Sequence, residues 1–323
     1  MGFRMIAPKR VKKVKSENGR EILRRLEEYL ESVAVTGELV EILCGFWQDQ
    51  QNALTYQEIR QAVIEGAISQ ETLRLWMQDY SVLVATRLGS LWTNAIMAGS
   101  EGQPILDGLA FEFHTQTPGI LGWISERGAE FVTNSTQEQK DAVAALLTKK
   151  MKDGHTVDEL SRLIRPCIGL TEGDAKAAAR LYDSIIENLK KEHPRMNPES
   201  IRRKALDATA KYAERKHRQR ALTIAQTESA FAYNRGADEG IRQAQSQNFI
   251  GTVRKRWNTS GDDAVCKTCA ALEGTEIEMD ADFNFKGRTL FAGQHMLPPA
   301  HPRCACAVEY IEVSLPAGKE VGA

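Results

Sequence analysis

The longest helical pattern in the chain begins at Asn197-Pro198-Glu199 and extends to about Gln247. An asparagine N-cap followed by proline at the first helical position is a typical helix start. The residues that follow are rich in alanine, arginine, lysine and glutamine, which all occur readily in helices. We therefore predict one long helix, with Gly236 and Gly240 as the places where it could break, within a fold that is mainly α.

Helical spacing also dominates the residues before this helix. Apolar residues recur every three or four positions from Ile22 to Val33 and from Leu73 to Ile96, which places them on one face of a helix. Thr36-Gly37 should end the first of these helices. Three capping patterns predict further helices near 136–151, 157–165 and 172–192.

Glycine and proline accumulate between residues 99 and 128, where the helical pattern fails, so we predict a loop or hinge there. From its amino end, the chain is thus divided into a basic N-terminal arm at 1–20, a helical N-terminal unit at 21–98, the loop or hinge at 99–128, a helical body at 129–248, a Cys/His module at 249–312 and a tail at 313–323. This division predicts an elongated helical body with long helices and a small α+β module after it.

Charged residues nearly cancel, with 42 Lys+Arg against 43 Asp+Glu, but they are unevenly distributed. Residues 1–15 carry six basic and no acidic side chains, and residues 199–220 carry eight basic and three acidic ones. Such runs are usually solvated faces, and the alternative is contact with the phosphates of a nucleic acid. The residues that would make this contact are Lys9, Arg10, Lys12, Lys13, Arg202, Arg203 and Lys204.

Strand patterns occur at Thr252 to Trp257, Thr275 to Met279 and Ala305 to Ile311, with turn-forming residues between them. They predict an α+β module of about 65 residues after the long helix. A module of this size cannot build much hydrophobic core alone, so we expect an additional stabilising element within it.

Four of the six cysteines lie in this module, as Cys266-x2-Cys269 and, 31 residues later, His301-x2-Cys304-x-Cys306. A two-residue gap lets both sulfurs of a pair reach one ion at about 2.3 Å, and the second group completes a tetrahedral site. Cys266, Cys269 and Cys304 belong to each arrangement we consider, while His301 and Cys306 compete for the fourth position. A strand that begins before Cys304 would favour His301, whereas an irregular start would let both cysteines reach the ion.

Zinc is the expected metal, because thiolate and imidazole ligands suit it and a fully protein-coordinated ion has a structural role. In zinc-finger peptides such a site contributes about 10–16 kcal/mol of apparent binding free energy, which is ample to order a small module. Two disulfides or plain buried thiols are the alternatives. No cysteine-hydrolase signature, Walker loop, GxSxG or HExxH motif occurs, so we expect no enzymatic activity. No apolar run reaches the ~18 residues of a membrane span.

A composite motif unites the end of the long helix with the cysteine cluster. Its parts are Thr223-Ile-Ala-Gln-Thr-Glu228, Tyr233-Asn234-Arg235-Gly236, Lys255-Arg256-Trp257, Asp262-Asp263-Ala264-Val265-Cys266-Lys-Thr-Cys269 and Pro298-Pro299-Ala-His301-Pro302-Arg-Cys304-Ala-Cys306. Together they resemble the Mu F-like head morphogenesis, or minor capsid, proteins of tailed phages. The resemblance is closest over about 220–312 and extends more loosely to about 130. Ala305 and Gln226 stand where members of this family have arginine.

The resemblance implies a minor component of the virion that associates with the portal protein and enters the procapsid during assembly. The resemblance also suggests scaffold protein, major capsid protein and packaged DNA as further partners. It implies no contact with a membrane. The expected location is the interior of the head near the portal, and the host cytoplasm during assembly. The alternative function is a nucleic-acid-binding structural zinc module without a portal role.

Overall fold

A computed structural model describes residues 15–153, 157–284 and 297–316 of the chain. The helices in this part are α1 (Glu17–Thr36), α2 (Glu38–Ala53), α3 (Tyr56–Glu65), α4 (Gln70–Leu83), α5 (Gly89–Glu101), α6 (Pro118–Asp153), α7 (Val157–Ile164), α8 (Glu172–Glu192), α9 (Pro198–Ser246) and α10 (Lys267–Leu272). The strands are β1 (Val253–Asn258), β2 (Glu276–Glu278) and β3 (Ala307–Glu312). The prediction of a mainly α fold with a small sheet near the carboxyl end is confirmed.

The long helix α9 is continuous from Pro198 to Ser246. Its start follows the expected pattern, because the side chain of Asn197 accepts a hydrogen bond of 2.8 Å from the N–H of Glu199. Just after its end, Asn248 adopts a left-handed conformation with φ 62°. The predicted break near Gly236 or Gly240 is wrong, because both glycines lie inside the helix.

The helices before α9 largely follow the apolar spacing. Gly37, with φ 63°, separates α1 from α2 where the Thr36-Gly37 pair predicted a break. The helix predicted from Leu73 to Ile96 lies within α4 and α5, which are joined by a π-helical turn at Val84–Leu88. Helix α1 begins at Glu17, so the predicted N-terminal arm at 1–20 is wrong from residue 17 onward. Lys9, Arg10, Lys12 and Lys13 lie outside the described residues, as do residues 317–323 of the predicted tail.

The predicted loop at 99–128 is wrong from Pro118 onward, because α6 begins there. Thr117 accepts a hydrogen bond from the N–H of Leu121 through its carbonyl oxygen, and a proline fits the first helical position, where no intrahelical hydrogen bond is lost. The turn-forming residues Gly119 and Gly122 therefore lie within the helix.

Gln243 near the end of α9 and Gln247 just after it bind the extended segment before Pro118. The side chain of Gln243 accepts from the N–H of His114 at 2.7 Å and donates to its carbonyl oxygen at 2.9 Å. Gln247 makes the same pair of hydrogen bonds with Glu112, at 2.9 and 2.7 Å. This part of the predicted hinge is thus held against a helix through its backbone.

The chain divides into two compact units that each combine distant segments. Unit 1 contains Met1–Ser32, Thr93–Thr115 and Thr227–Ala323, and unit 2 contains Val33–Trp92 and Gln116–Gln226. The sequence predicts consecutive stretches instead, because pattern alone does not reveal which distant segments meet. None of the described helices combines the length and the apolar character needed to cross a membrane.

Unit 2 has a helical core with buried polar contacts inside it. Trp47, which is 1% exposed, donates a hydrogen bond of 3.0 Å to the hydroxyl of Tyr80. Tyr80 in turn donates to the side chain of Gln139 at 3.1 Å. The guanidinium of Arg220 lies over the ring of Trp47, with 5.0 Å to the ring centroid. These contacts satisfy polar groups that would otherwise be costly to bury.

Unit 1 contains an antiparallel sheet in the order β2-β1-β3, in which Lys255 of β1 faces Tyr310 of β3. Its apolar core includes Trp257 and Phe283, whose rings meet edge to face at 5.1 Å. Helix α9 adds further residues to this core, namely Ala237, Ile241 and Ala244. The core of the small module is therefore completed by α9. The sequence predicts instead that an additional element within the module stabilises it.

Helices α5 and α9 approach so closely in unit 1 that their backbones touch. A Cβ atom added at Gly236 would overlap the carbonyl oxygen of Ile96, and one added at Gly99 would overlap the carbonyl oxygen of Tyr233. Since the obstructing atoms belong to backbone, a side-chain rotation cannot relieve the overlap. The two glycines are required for the close approach of the helices.

We expect Gly236→Ala to lower the free energy of unfolding by about 2 kcal/mol or more, because overpacking against a fixed backbone forces the helices apart. Urea unfolding followed by circular dichroism measures the change. Gly122→Ala is the matched control, since no atom lies within 4 Å of its added Cβ. There alanine should stabilise the helix by up to about 1 kcal/mol. Equal effects of the two substitutions would contradict the proposed packing of α5 against α9.

Candidate metal centre

The first pair of cysteines forms a knuckle at the start of α10. Cys266 is the N-cap of this helix, and its sulfur accepts a hydrogen bond of 3.3 Å from the N–H of Cys269. Burial opposes ionisation of Cys266, but the hydrogen bonds from Cys269 outweigh it and lower the pKa of this thiol. The helical turn thus brings both sulfurs to one side and favours a thiolate at the first of them.

The second group of donors lies on a tight turn before β3. The N–H of Cys304 donates to the carbonyl oxygen of His301 at 3.1 Å, and Arg303 between them is left-handed, with φ 58°. Strand β3 begins only at Ala307, so Cys304 and Cys306 precede the regular strand. This is the irregular start that allows both sulfurs to point to the same site.

All five predicted donors come together around Cys269. Cys266, Cys269 and His301 have ligand atoms within 4.8 Å of one another, and so do Cys269, Cys304 and Cys306. The sulfur of Cys269 lies 3.5 Å from Nε2 of His301 and 3.7 Å from the sulfur of Cys304. Cys269 is therefore the donor that the two groups share.

Two distances from the sulfur of Cys269 match edges of a tetrahedron of ligands around one ion. With about 2.3 Å from zinc to sulfur and about 2.05 Å to imidazole nitrogen, a regular tetrahedron has sulfur–sulfur edges of about 3.8 Å and sulfur–nitrogen edges of about 3.6 Å. The contacts of Cys269 with Cys304 and His301, at 3.7 and 3.5 Å, agree with both values. They are far from a disulfide, whose sulfurs are about 2.05 Å apart. The cluster can hold a metal ion.

The imidazole of His301 is oriented for ligation through Nε2. Its Nδ1 lies 2.9 Å from the carbonyl oxygen of Pro302, to which an Nδ1–H group donates. In the neutral ring, this tautomer leaves the Nε2 lone pair on the side of Cys269. A backbone carbonyl that fixes the second nitrogen is common for histidines that bind metals.

The cluster stabilises negative charge on one of its three buried sulfurs, that of Cys304. Cys269, Cys304 and Cys306 are between 1% and 4% exposed. Hydrogen bonds from Cys269 and Cys306 lower the pKa of Cys304 far below its ordinary value, and hydrogen bonding to Cys269 and Cys304 raises the pKa of Cys306. Hydrogen bonding to Cys269 and then Cys304 also raises the pKa of His301 to about 11. A cation that replaces these protons would find its sulfur ligands already close together.

The predicted nucleic-acid contacts on α9 lie in unit 2. Arg202 forms an ion pair of 3.0 Å with Glu159, so part of its charge is already neutralised. Arg203 and Lys204 are exposed. The metal cluster, in contrast, lies in unit 1.

Two polar residues of α9 for which the sequence predicts no separate role contact the turn that carries the second group of donors. The hydroxyl of Thr227 accepts a hydrogen bond of 3.0 Å from the N–H of Arg303. Asn234 donates to the carbonyl oxygen of Cys306 at 3.4 Å. Their seven-residue spacing places them on one face of the helix, and this spacing of polar residues in an alanine-rich helix is the signal that could have identified them.

A family model described as phage Mu protein F like protein matches residues 141–309, which is more than half of the chain. The chain belongs to this family. The match covers the end of α6, helices α7 to α10 and the metal cluster. It confirms the resemblance of the composite motif, and the Mu F-like family points to a role in phage head morphogenesis. Comparisons with curated proteins and with solved structures gave no match.

We expect Cys269→Ser to abolish stoichiometric metal binding by this Mu F-like chain, because the substitution removes the sulfur common to both groups of donors. Metal content by mass spectrometry after reconstitution of the reduced protein measures the loss. Cys44→Ser is the matched control, since Cys44 is half-buried in α2 and belongs to neither group. Equal metal content in the two variants would show that the cluster is not the binding site.

Proposed function

We propose that this chain is a minor capsid protein of a tailed phage that associates with the portal and enters the head during procapsid assembly. The observation that carries the proposal is the family match from the helical body through the cysteine cluster. The proposed location is the interior of the head near the portal, after assembly in the host cytoplasm. Scaffold protein and major capsid protein are further candidate partners.

We also propose that four of the five clustered donors bind one structural Zn²⁺ ion. Cys266, Cys269 and Cys304 are the constant ligands, and His301 or Cys306 is the fourth. The tetrahedral distances around Cys269, the burial of three sulfurs and the orientation of His301 support this assignment. The ion would crosslink two segments that are 31 residues apart in the sequence.

A structural rather than a catalytic role is consistent with this ligand set. Four protein ligands leave no position at which a substrate or an activated water could bind. The two cysteines outside the cluster offer no alternative nucleophile, since burial raises the pKa of Cys167 to about 12 and also raises that of Cys44. A thiol with a raised pKa is a poor nucleophile at neutral pH.

The portal interaction is tested by co-expressing the full chain with the portal protein encoded by the same phage. We expect the two proteins to purify together through an affinity tag on the portal. Major capsid protein carrying the same tag serves as the parallel bait, and recovery by the portal alone would identify the specific partner. Absence of the chain both from the portal fraction and from purified particles would overturn the proposed function.

Contact with packaged DNA is a second proposed function, and it is favoured by a basic stripe on α9. Lys204, Lys211 and Arg215 are exposed and, at 100° per residue, lie within about 40° of one another around the helix. They span about 17 Å along its axis. Arg218 continues the stripe, but it forms an ion pair of 3.1 Å with Glu41.

We expect binding to duplex DNA, measured by fluorescence anisotropy, to weaken as salt increases, because phosphate contacts release counterions. In the double variant Lys204→Gln/Lys211→Gln, the slope of log K against log salt should decrease by up to about 1.8, at about 0.9 for each lost contact. Lys176→Gln is the control, since Lys176 is paired with Glu172. No dependence on salt in the wild-type chain would exclude this function.

A further inference from the structure

The turn that carries the second group of ligands contains an unfavourable backbone conformation. Arg303 has φ 58°, in the left-handed region that L-residues with a side chain seldom adopt. It lies between His301 and Cys304, so its conformation sets the relative direction of both side chains. Such a residue keeps this conformation only where its surroundings hold it in place.

Helix α9 provides a contact at this residue. The hydroxyl oxygen of Thr227 accepts the hydrogen bond of 3.0 Å from the N–H of Arg303. Thr227 is 5% exposed and lies in the middle of a 49-residue helix. The hydroxyl is therefore presented from a rigid element, and the turn is fixed relative to that element.

A second contact lies two helical turns further along the same face. The side chain of Asn234 is 1% exposed and donates to the carbonyl oxygen of Cys306 at 3.4 Å. It also donates to the carbonyl oxygen of Ala230 at 2.9 Å, which fixes the orientation of its amide. Helix α9 thus contacts the backbone on both sides of Cys304.

We propose that Thr227 is a positioning residue of the metal centre. It fixes the left-handed turn at Arg303, so that His301 and Cys304 face the same ion as Cys266 and Cys269. Asn234 supports the same segment from the other side of Cys304. The inference rests on the proposed metal centre and adds to it an outer contact from a helix that supplies no ligand.

The substitution Thr227→Val tests this role, because valine keeps the shape of threonine and has a methyl group in place of the hydroxyl. Outer contacts of metal ligands commonly contribute 10–100-fold to affinity. We expect the zinc affinity of the full chain, measured by competition with a chromophoric chelator, to decrease by about this factor. Thr227→Ser, which keeps the hydroxyl, should remain within about threefold of the wild type.

Thr209→Val is the matched control on the same helix. Thr209 is fully buried in α9, and its hydroxyl donates to the carbonyl oxygen of Ala205 in its own helix. Its substitution should leave the zinc affinity unchanged. Helix content measured by circular dichroism should be the same for both valine variants, because threonine and valine have similar helix propensities.

A double-mutant cycle with Arg303→Gly separates positioning from a general loss of stability. Glycine adopts a left-handed conformation without a steric penalty, so the turn should then depend less on Thr227. We expect Thr227→Val to reduce zinc affinity much less in the Arg303→Gly background than in the wild type. Equal losses in both backgrounds would mean that Thr227 does not act through Arg303.

The outcomes distinguish this inference from the proposed metal centre. If the wild-type chain binds no zinc, the metal centre itself is refuted. If the wild type binds zinc and Thr227→Val binds it within twofold of the same affinity, the metal centre stands and the positioning role is refuted. A decrease that Thr227→Ser avoids, and that Arg303→Gly diminishes, supports the positioning role.

Discussion

One face of α9 provides the contacts on which the carboxyl-terminal part of the chain depends. Ile241 belongs to the apolar core that also contains residues of the sheet. Asp238, which is fully buried, accepts a hydrogen bond of 3.1 Å from the hydroxyl of Tyr310. Arg242 pairs with the same carboxylate at 2.7 Å. A buried carboxylate is tolerable only with such partners. Because these residues share one rigid helix, the sheet and the turn from His301 to Cys304 are held by a single element.

This arrangement changes what a metal ion would contribute. The sequence alone predicts that the ion orders a module without a sufficient core of its own. In the structure, Trp257 and Phe283 pack against residues of α9, so hydrophobic burial already stabilises the sheet. The ion would instead act locally, where the start of α10 meets the turn from His301 to Cys304 around Cys269. There it would link two segments that are distant in the sequence.

Local patterns predicted the helices, the strands and the donor set, because each depends on residues close in sequence. Apolar spacing and the Gly37 break are of this kind, as is the Cys266-x2-Cys269 knuckle. Contacts between distant residues could not be predicted in the same way. In the sequence, Gln243 does not differ from the other glutamines of the helix. Only the folded chain shows that its side chain binds the backbone of His114. The spacing of polar residues on α9 could point to Thr227, but it could not identify its partner, a backbone N–H group 76 residues away.

Charge patterns likewise change their meaning once partners are known. Residues 262–282 contain seven acidic residues and one lysine, so the sequence predicts a strongly acidic segment within the module. Four of these acids form ion pairs, namely Glu273 with Lys15, Glu276 with Arg256, Glu278 with Arg254 and Asp280 with Arg242. The field of the module is therefore weaker than its sequence indicates, because paired charges largely cancel beyond a Debye length. The basic stripe on α9 differs, since Lys204 and Lys211 remain exposed. Long-range attraction of an anionic partner would thus originate from the helix.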